Sequence, residues 1–176
     1  MYTDLRGRTE EGRLNFFTTR RLTRGALIAA VYTALSLALA PISMGYSGVE
    51  LRVAEALTLL PVLFPEAIPA LTVGCLLTNL FAGGTPWDIA FGTLATLLAA
   101  LCTRRLRSRP LWIAALPPVL LNAVIVGTVL RYTIGLELSL LAWMLIIGAG
   151  QTVACYALGI PLALAARKLP ESLLRE

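Results

Sequence analysis

The sequence predicts an all-α membrane protein, a bundle of six transmembrane helices with both termini in the cytoplasm. Hydrophobic residues make up 57% of its 176 residues and charged residues only 14%, and the mean hydropathy is +0.78. A soluble domain typically has about 25% charged residues, because its surface faces water. The surface of this chain must therefore face a lipid bilayer.

Six apolar runs predict the helices: 25–40, 51–64, 67–81, 89–102, 111–130 and 138–166. A lone span needs about 20 apolar residues to cross a hydrocarbon core about 30 Å thick. The shorter runs therefore need polar extensions or a cover of neighbouring protein. Pro117, Pro118 and Pro161 predict kinks in the last two spans. The predicted organisation is a cytoplasmic tail at 1–23, the transmembrane bundle at 24–168 and a second cytoplasmic tail at 169–176.

Basic residues orient the bundle. With six spans, three basic segments fall on one side, and the opposite side has only Arg52 and Arg131. Because cytoplasmic loops carry an excess of Lys and Arg, that basic side is predicted to be cytoplasmic, in the cell membrane. The three segments contain Arg20, Arg21 and Arg24, then Arg104, Arg105, Arg107 and Arg109, and finally Arg167 and Lys168.

Several function classes are disfavoured by what the sequence lacks. There is no histidine, and Cys75, Cys102 and Cys155 are scattered among apolar runs, so neither a metal site nor a disulfide framework is expected. No phosphate-binding G-x-x-x-x-G-K-[ST] motif occurs, so the chain cannot hydrolyse ATP by itself. The net charge of +5 lies beside apolar spans and indicates topology rather than nucleic-acid binding. No cofactor is expected.

The polar residues of the predicted spans fall almost entirely in the outer half of the membrane. Asn122 and Gln151 lie about 12 and 20 Å from the outer ends of their spans, at 1.5 Å per residue. Polar groups at membrane depth indicate a functional cavity. The predicted substrate-binding residues are Glu50, Arg52, Glu55, Asn79, Asp88, Asn122, Trp143 and Gln151.

This set favours a flat, hydrogen-bonding organic molecule over an ion, because it combines carboxylates, amides, a guanidinium and indoles. Two structural alternatives remain open. Arg52 and Glu55 are spaced to form a salt bridge that only locks the bundle. Trp87 and Trp143 are also placed to form an interfacial aromatic belt.

The first span contains small residues at four-residue intervals, namely Ala26, Ala30, Ala34 and Ala38. Such a strip allows another helix to approach closely in lipid. We therefore expect Ala26, Ala30 and Ala34 to form a docking surface for a partner, although a chance result of abundant alanine remains an alternative.

Four stretches carry a family resemblance: Gly48-Val-Glu-Leu-Arg-Val-Ala-Glu-Ala-Leu-Thr-Leu-Leu-Pro61, Thr78-Asn-Leu-Phe81, Asp88-Ile-Ala-Phe-Gly-Thr-Leu-Ala-Thr-Leu97 and Asn122-Ala-Val-Ile-Val-Gly127. They resemble the queuosine-precursor transporter family, the substrate-binding (S) components of energy-coupling factor transporters. The resemblance covers residues 24 to 165, and its most specific part is the pattern around Arg52, Glu55 and Asp88.

The resemblance implies a six-helix bundle that captures a 7-deazaguanine precursor of queuosine from outside. It implies docking through the first helix onto a transmembrane coupling subunit that carries two ATPase subunits, and no enzymatic activity of its own. The family pattern commonly has an amide at Glu50 and a carboxylate at Gln151 and near Val129, so this chain departs from it there. The alternatives are an S component for another vitamin, a small intramembrane enzyme using Glu55 and Asp88, and an assembly protein.

Overall fold

The computed structural model describes residues 18–43, 53–133 and 138–168. Every regular element in these ranges is helical and none is a strand, so the all-α prediction is confirmed for this part of the chain. The elements are helix α1 (Thr19–Ser43), a 3-10 helix (Val53–Val62), α2 (Ala67–Phe81), α3 (Thr93–Arg105) after a π turn (Asp88–Gly92), α4 (Leu111–Thr133) and α5 (Leu140–Arg167).

Each predicted apolar run overlaps one of these helical stretches, but the lengths of the helices differ widely. Among the described residues, α1 over Thr19–Leu39, α4 and α5 are long and apolar enough to cross a membrane. The 3-10 helix and α2 are apolar but shorter. Helix α1 begins at Thr19, inside the segment predicted as a tail. The count of six crossings and the compartment of the termini stay predictions.

The 3-10 helix forms the centre of the bundle, because every residue from Ala54 to Val62 is buried. It packs against α1, α3 and α5. At about 2.0 Å per residue its ten residues are about 20 Å long, less than the bilayer core. So short a helix is tolerated at membrane depth because protein surrounds it on all sides.

Helical hydrogen bonding changes near the prolines of the last two helices. Helix α4 is interrupted at Ala115, just before Pro117 and Pro118, and is π-helical over Asn122–Val126. Helix α5 is π-helical over Val153–Gly159, just before Pro161. Proline has no N–H to give to the preceding turn, so the regular pattern must adjust there. π-helical turns are frequent at functional sites, and Asn122 begins one of them.

One end of the bundle is held by arginines. Arg24 Nη1 of α1 lies 2.6 Å from Glu66 Oε1, and its guanidinium lies 4.6 Å from the ring centre of Phe64. Arg104 Nη1, at the end of α3, donates to the carbonyls of Pro61 (3.0 Å) and Val62 (3.1 Å). Partial burial and the charge of Arg107 hold the pKa of Arg104 below its usual value. The first two arginine-rich segments thus meet at one end.

The last basic segment joins the same end, since Ala166 packs in a core cluster with Phe64 and Ile28. The outside of the bundle is covered with exposed large apolar side chains, among them Leu27, Leu120, Leu141 and Leu145. An apolar exterior of this extent fits a protein surrounded by lipid rather than by water.

Candidate functional site

Glu55 is a fully buried carboxylic acid at the centre of the bundle, with 0% of its surface exposed. The 3-10 helix carries it, and neighbouring helices supply its partners. Tyr32 of α1 donates its hydroxyl to Oε1 at 2.7 Å, and Gln151 of α5 donates its amide to Oε2 at 3.1 Å. An acid at this depth is stable only when it is paired and hydrogen-bonded. The three residues therefore fix one carboxylate between three helices.

Thr58 and Cys155 extend this network below the carboxylate. Thr58 donates its hydroxyl to the Glu55 carbonyl at 2.6 Å, and lies 3.6 Å from the Cys155 thiol. Gln151 also lies 3.6 Å from that thiol. Of the predicted substrate-binding residues, Glu55 and Gln151 are in direct contact through the hydrogen bond between their side chains.

Sequence reasoning missed the role of Tyr32, which is buried to 2% exposure. A usable signal was present, because a tyrosine inside an apolar span needs a partner for its hydroxyl. Of the three cysteines, Cys75 and Cys155 are buried and Cys102 is exposed.

Asn122 and Trp143 are two further buried residues with polar atoms. They are only 3% and 5% exposed, yet neither the Asn122 amide atoms nor Trp143 Nε1 has a hydrogen-bond partner within the described ranges. Leaving a buried donor or acceptor unpaired costs about 1–3 kcal/mol. Such a group in a native fold calls for a partner outside the described residues, and a ligand is one such partner.

The packing of α4 against α5 gives the relative depth of these residues. A Cβ added to Gly127 would lie 3.1 Å from Met144 Cα, and one added to Gly148 would lie 3.4 Å from Ala123 Cβ. The helices are therefore antiparallel, and Asn122 lies level with residue 149 of α5. At 1.5 Å per residue its level is about 3 Å from that of Gln151, toward the start of α5. It is about 9 Å from the level of Trp143, toward the end of α5.

Asn79 and Asp88 meet at the start of the fourth helical stretch. Asn79 Nδ2 lies 3.3 Å from the Asp88 carbonyl oxygen. The Asp88 carboxylate accepts from the Thr85 backbone N–H at 2.9 Å, while the Asp88 N–H donates to Thr85 Oγ1 at 3.2 Å. This reciprocal pair is a capping box, and the Thr-x-x-Asp spacing carried its signal. Substrate binding by either residue stays a prediction.

An apolar groove of about 460 Å³ lies on the outside of this region and contains none of the predicted substrate-binding residues. Trp87 and Phe91 stack on one side of it with ring centres 5.9 Å apart. Trp87 is largely exposed, as an interfacial residue would be, whereas Trp143 is buried. The remaining lining residues are Val124, Ile125, Thr128, Val129, Tyr132 and Thr133.

Glu50 and Arg52 lie outside the described residues, as does any contact between Arg52 and Glu55. The docking prediction falls on described residues: Ala26, Ala30, Ala34 and Ala38 are all exposed, while Ile28, Ala29 and Tyr32 of the same helix are buried. The strip thus faces away from the bundle. Among the described residues no group of three or more His, Cys, Asp or Glu could hold a metal ion.

A known protein family matches most of this chain. The model of the QueT transporter family matches residues 22–168, most of the chain. The chain belongs to the QueT transporter family. It is also 29% identical, over 121 residues, to the "Queuosine precursor transporter QueT" of Lactococcus lactis subsp. cremoris (strain MG1363). That match covers 66% of this chain and 71% of the relative. No solved structure matches the chain.

Membership of the QueT family confirms the resemblance found in the sequence and makes this chain a membrane transporter. It favours transport over the intramembrane-enzyme alternative. The match begins at residue 22 and ends at residue 168, so it includes Tyr32, Glu55 and Gln151 as well as Asn122 and Trp143.

Proposed function

We propose that this chain is the substrate-binding S component of an energy-coupling factor importer in the cell membrane, and that its cargo is a queuosine precursor of the 7-deazaguanine type. The observation that carries the proposal is a pair of buried polar groups, the amide of Asn122 and the indole of Trp143, that no described residue engages, in a bundle that also buries the carboxylate of Glu55. The family match and the name of the Lactococcus relative support the same cargo.

The chemistry of the site suits this ring system. A 7-deazaguanine presents a ring N–H, an exocyclic amine and a carbonyl along one edge. Carboxylate and amide oxygens accept from the two donors, and an amide N–H or a guanidinium donates to the carbonyl. Glu50, Arg52, Glu55, Asn79, Asp88, Asn122, Trp143 and Gln151 are the proposed substrate-binding residues.

The proposed topology has six crossings, with both termini and the arginine-rich end in the cytoplasm. The contacts of Arg24 and Arg104 at one end of the bundle support a shared side for these segments. The site then opens toward the outside, where an importer must capture its cargo.

ATP hydrolysis is assigned to two partner subunits, which a transmembrane coupling subunit would join to this chain. The proposed contact is the strip of Ala26, Ala30 and Ala34, whose exposure leaves it open to a partner helix. Small side chains there allow two helix backbones to approach closely.

Ligand-dependent stabilisation of the purified full-length chain tests the cargo. A ligand that binds only the folded state raises the unfolding temperature. We expect the aminomethyl or the cyano 7-deazaguanine to do so, and mass spectrometry to find such a compound in protein purified from its host. If neither compound stabilises the protein while another vitamin does, the S-component assignment survives and the queuosine assignment fails.

A further inference from the structure

The buried polar side chains of the site differ in one respect that bears on the ligand. Glu55 already accepts hydrogen bonds from Tyr32 and Gln151, which hold its carboxylate in place. Asn122 and Trp143 are as deeply buried but have no partner among the described residues. Glu55, Tyr32 and Gln151 therefore hold one another in place, whereas no described residue engages the polar atoms of Asn122 and Trp143, which leaves them available to a ligand.

Asn122 has both of its functions available, because no described residue engages either Nδ2 or Oδ1. A primary amide offers two donors and an acceptor on adjacent atoms. Its natural complement is a ring lactam, in which an N–H stands directly beside a C=O. A single bidentate pair would satisfy both ends of the side chain at once.

Trp143 adds a donor at a different depth. No described residue accepts from its indole N–H, and the register of α4 on α5 places Asn122 about 9 Å from it along the bundle axis, toward the end of α5. This offset along the axis is of the order of the span of a two-ring heterocycle with its hydrogen bonds, so one such molecule is long enough to reach both levels.

We infer that Asn122 reads a lactam edge: Oδ1 accepts from the ring N–H and Nδ2 donates to the adjacent carbonyl, while Trp143 donates to an acceptor elsewhere on the same molecule. This inference rests on the proposed function for the identity of the ring. It assigns to Asn122 the selection of lactam rings over rings whose N–H has been lost.

The test compares aminomethyl-7-deazaguanine with its O6-methyl ether, which lacks the ring N–H and the carbonyl. Titration calorimetry on the wild-type chain should show the ether binding at least about 5- to 150-fold more weakly, the range for one stranded buried hydrogen-bonding group, because both ends of the Asn122 amide lose their partners. In Asn122→Leu the parent compound should weaken by a similar factor and the preference between the two compounds should shrink toward one. An unchanged preference in that variant would overturn the inference.

The fold of the variant has its own readout. Replacing an unpaired buried amide with an apolar side chain of similar size is neutral or stabilising. Ligand-free Asn122→Leu should therefore unfold at the same temperature as the wild type or higher. A clear drop would show that the amide already has a structural partner, and would count against its role as a reader.

Matched tryptophan variants test the second donor. Trp143→Phe keeps an aromatic ring and removes the N–H, and should weaken the parent compound at least about 5-fold. Trp112→Phe is the control, because Trp112 is 58% exposed at the far end of α4 and should leave binding unchanged. Equal effects of the two variants would remove Trp143 from the inference. Failure of the wild type to bind the parent compound would instead sink the proposed cargo, and with it this choice of ring.

Discussion

At the scale of single residues, Tyr32 shows how closely the first helix is seated. Its hydroxyl reaches Glu55, and its ring lies against Gly74 of α2. A Cβ on Gly74 would come within 3.0 Å of Tyr32 Cδ1 and 3.2 Å of the Ala29 carbonyl oxygen. Thr33 also donates to the Gly74 carbonyl at 3.2 Å. A glycine is required at this contact because two backbones meet there.

Gly74→Ala should therefore destabilise the bundle by about 1–3 kcal/mol, the usual cost of overpacking a tight contact. The carbonyl of Ala29 belongs to the backbone and cannot rotate away. Gly148→Ala is the control, since its new Cβ would meet only Ala123 Cβ at an ordinary 3.4 Å. Thermal unfolding of the purified variants measures the stability of each. Equal stability of the two variants would refute the close packing of α1 on α2 at Gly74.

Glu50 gives the second prediction at this scale. The aminomethyl deazaguanine is cationic at neutral pH, whereas the cyano compound is neutral. A carboxylate near the side chain of the ligand should favour the cation, so Glu50→Gln should reduce the ratio of the two affinities. Competition binding measures that ratio, and a constant ratio would place Glu50 away from this part of the ligand.

Sequence reasoning found the buried polar residues Glu55, Asn79, Asn122 and Gln151, because polar groups in apolar runs are conspicuous, and their part in substrate binding stays a prediction. It gave their relative depth less well. Asn122 and Gln151 were placed about 8 Å apart in depth by counting from helix ends, whereas the packing of Gly127 and Gly148 places them about 3 Å apart. The ends of α4 and α5 are not level, and only the contact between the helices reveals this.

At the scale of elements, apolar runs located every described helix but did not reveal its type. The central stretch 53–62 is a 3-10 helix, and α4 and α5 contain π segments. The stretch 53–62 is buried on all sides and exchanges ideal hydrogen bonds for close contact with its neighbours, whereas the π segments lie near prolines, which have no N–H to donate. Hydrophobic periodicity alone carries no sign of that exchange.

Helix α1 has an exposed face and a buried face. Substitutions on the exposed face should therefore change partner docking without changing ligand binding. Ala30→Trp or Ala34→Trp should abolish close approach of a partner helix and reduce uptake, because the strip is exposed. Binding by the isolated chain should stay near normal, because Tyr32 occupies the buried face. Uptake by cells and calorimetry on purified protein measure the two effects.

Ala149→Trp is the control for that experiment, since it puts the same bulk on an exposed position of α5. Uptake should persist in this variant. If Ala30→Trp lowers ligand binding and uptake equally, the alanine strip contributes to the ligand site of the chain itself and is not a docking surface for a partner.

At the scale of the whole molecule, the contacts at one end set the relative placement of the basic segments, and the positive-inside rule sets the compartment. Cysteine probes at Ser47 and Thr85 should react with an impermeant thiol reagent added outside cells, and a probe at Ser108 should not. Of the native thiols, Cys75 and Cys155 are buried and Cys102 is exposed, so Cys102→Ser is the background. Labelling of Ser108→Cys in intact cells would invert the topology and place the site opening in the cytoplasm.

The pairing of Glu55 with Gln151 also has a consequence for synthesis of the chain. The two residues are 96 positions apart. At about 5–20 residues per second, Gln151 leaves the ribosome roughly 5–20 s after Glu55. During that interval Tyr32 is present to hold the carboxylate, but the amide from the last helix is not. A chain truncated before α5 would retain this acid with an incomplete set of partners, and quality-control proteases would meet it in that form.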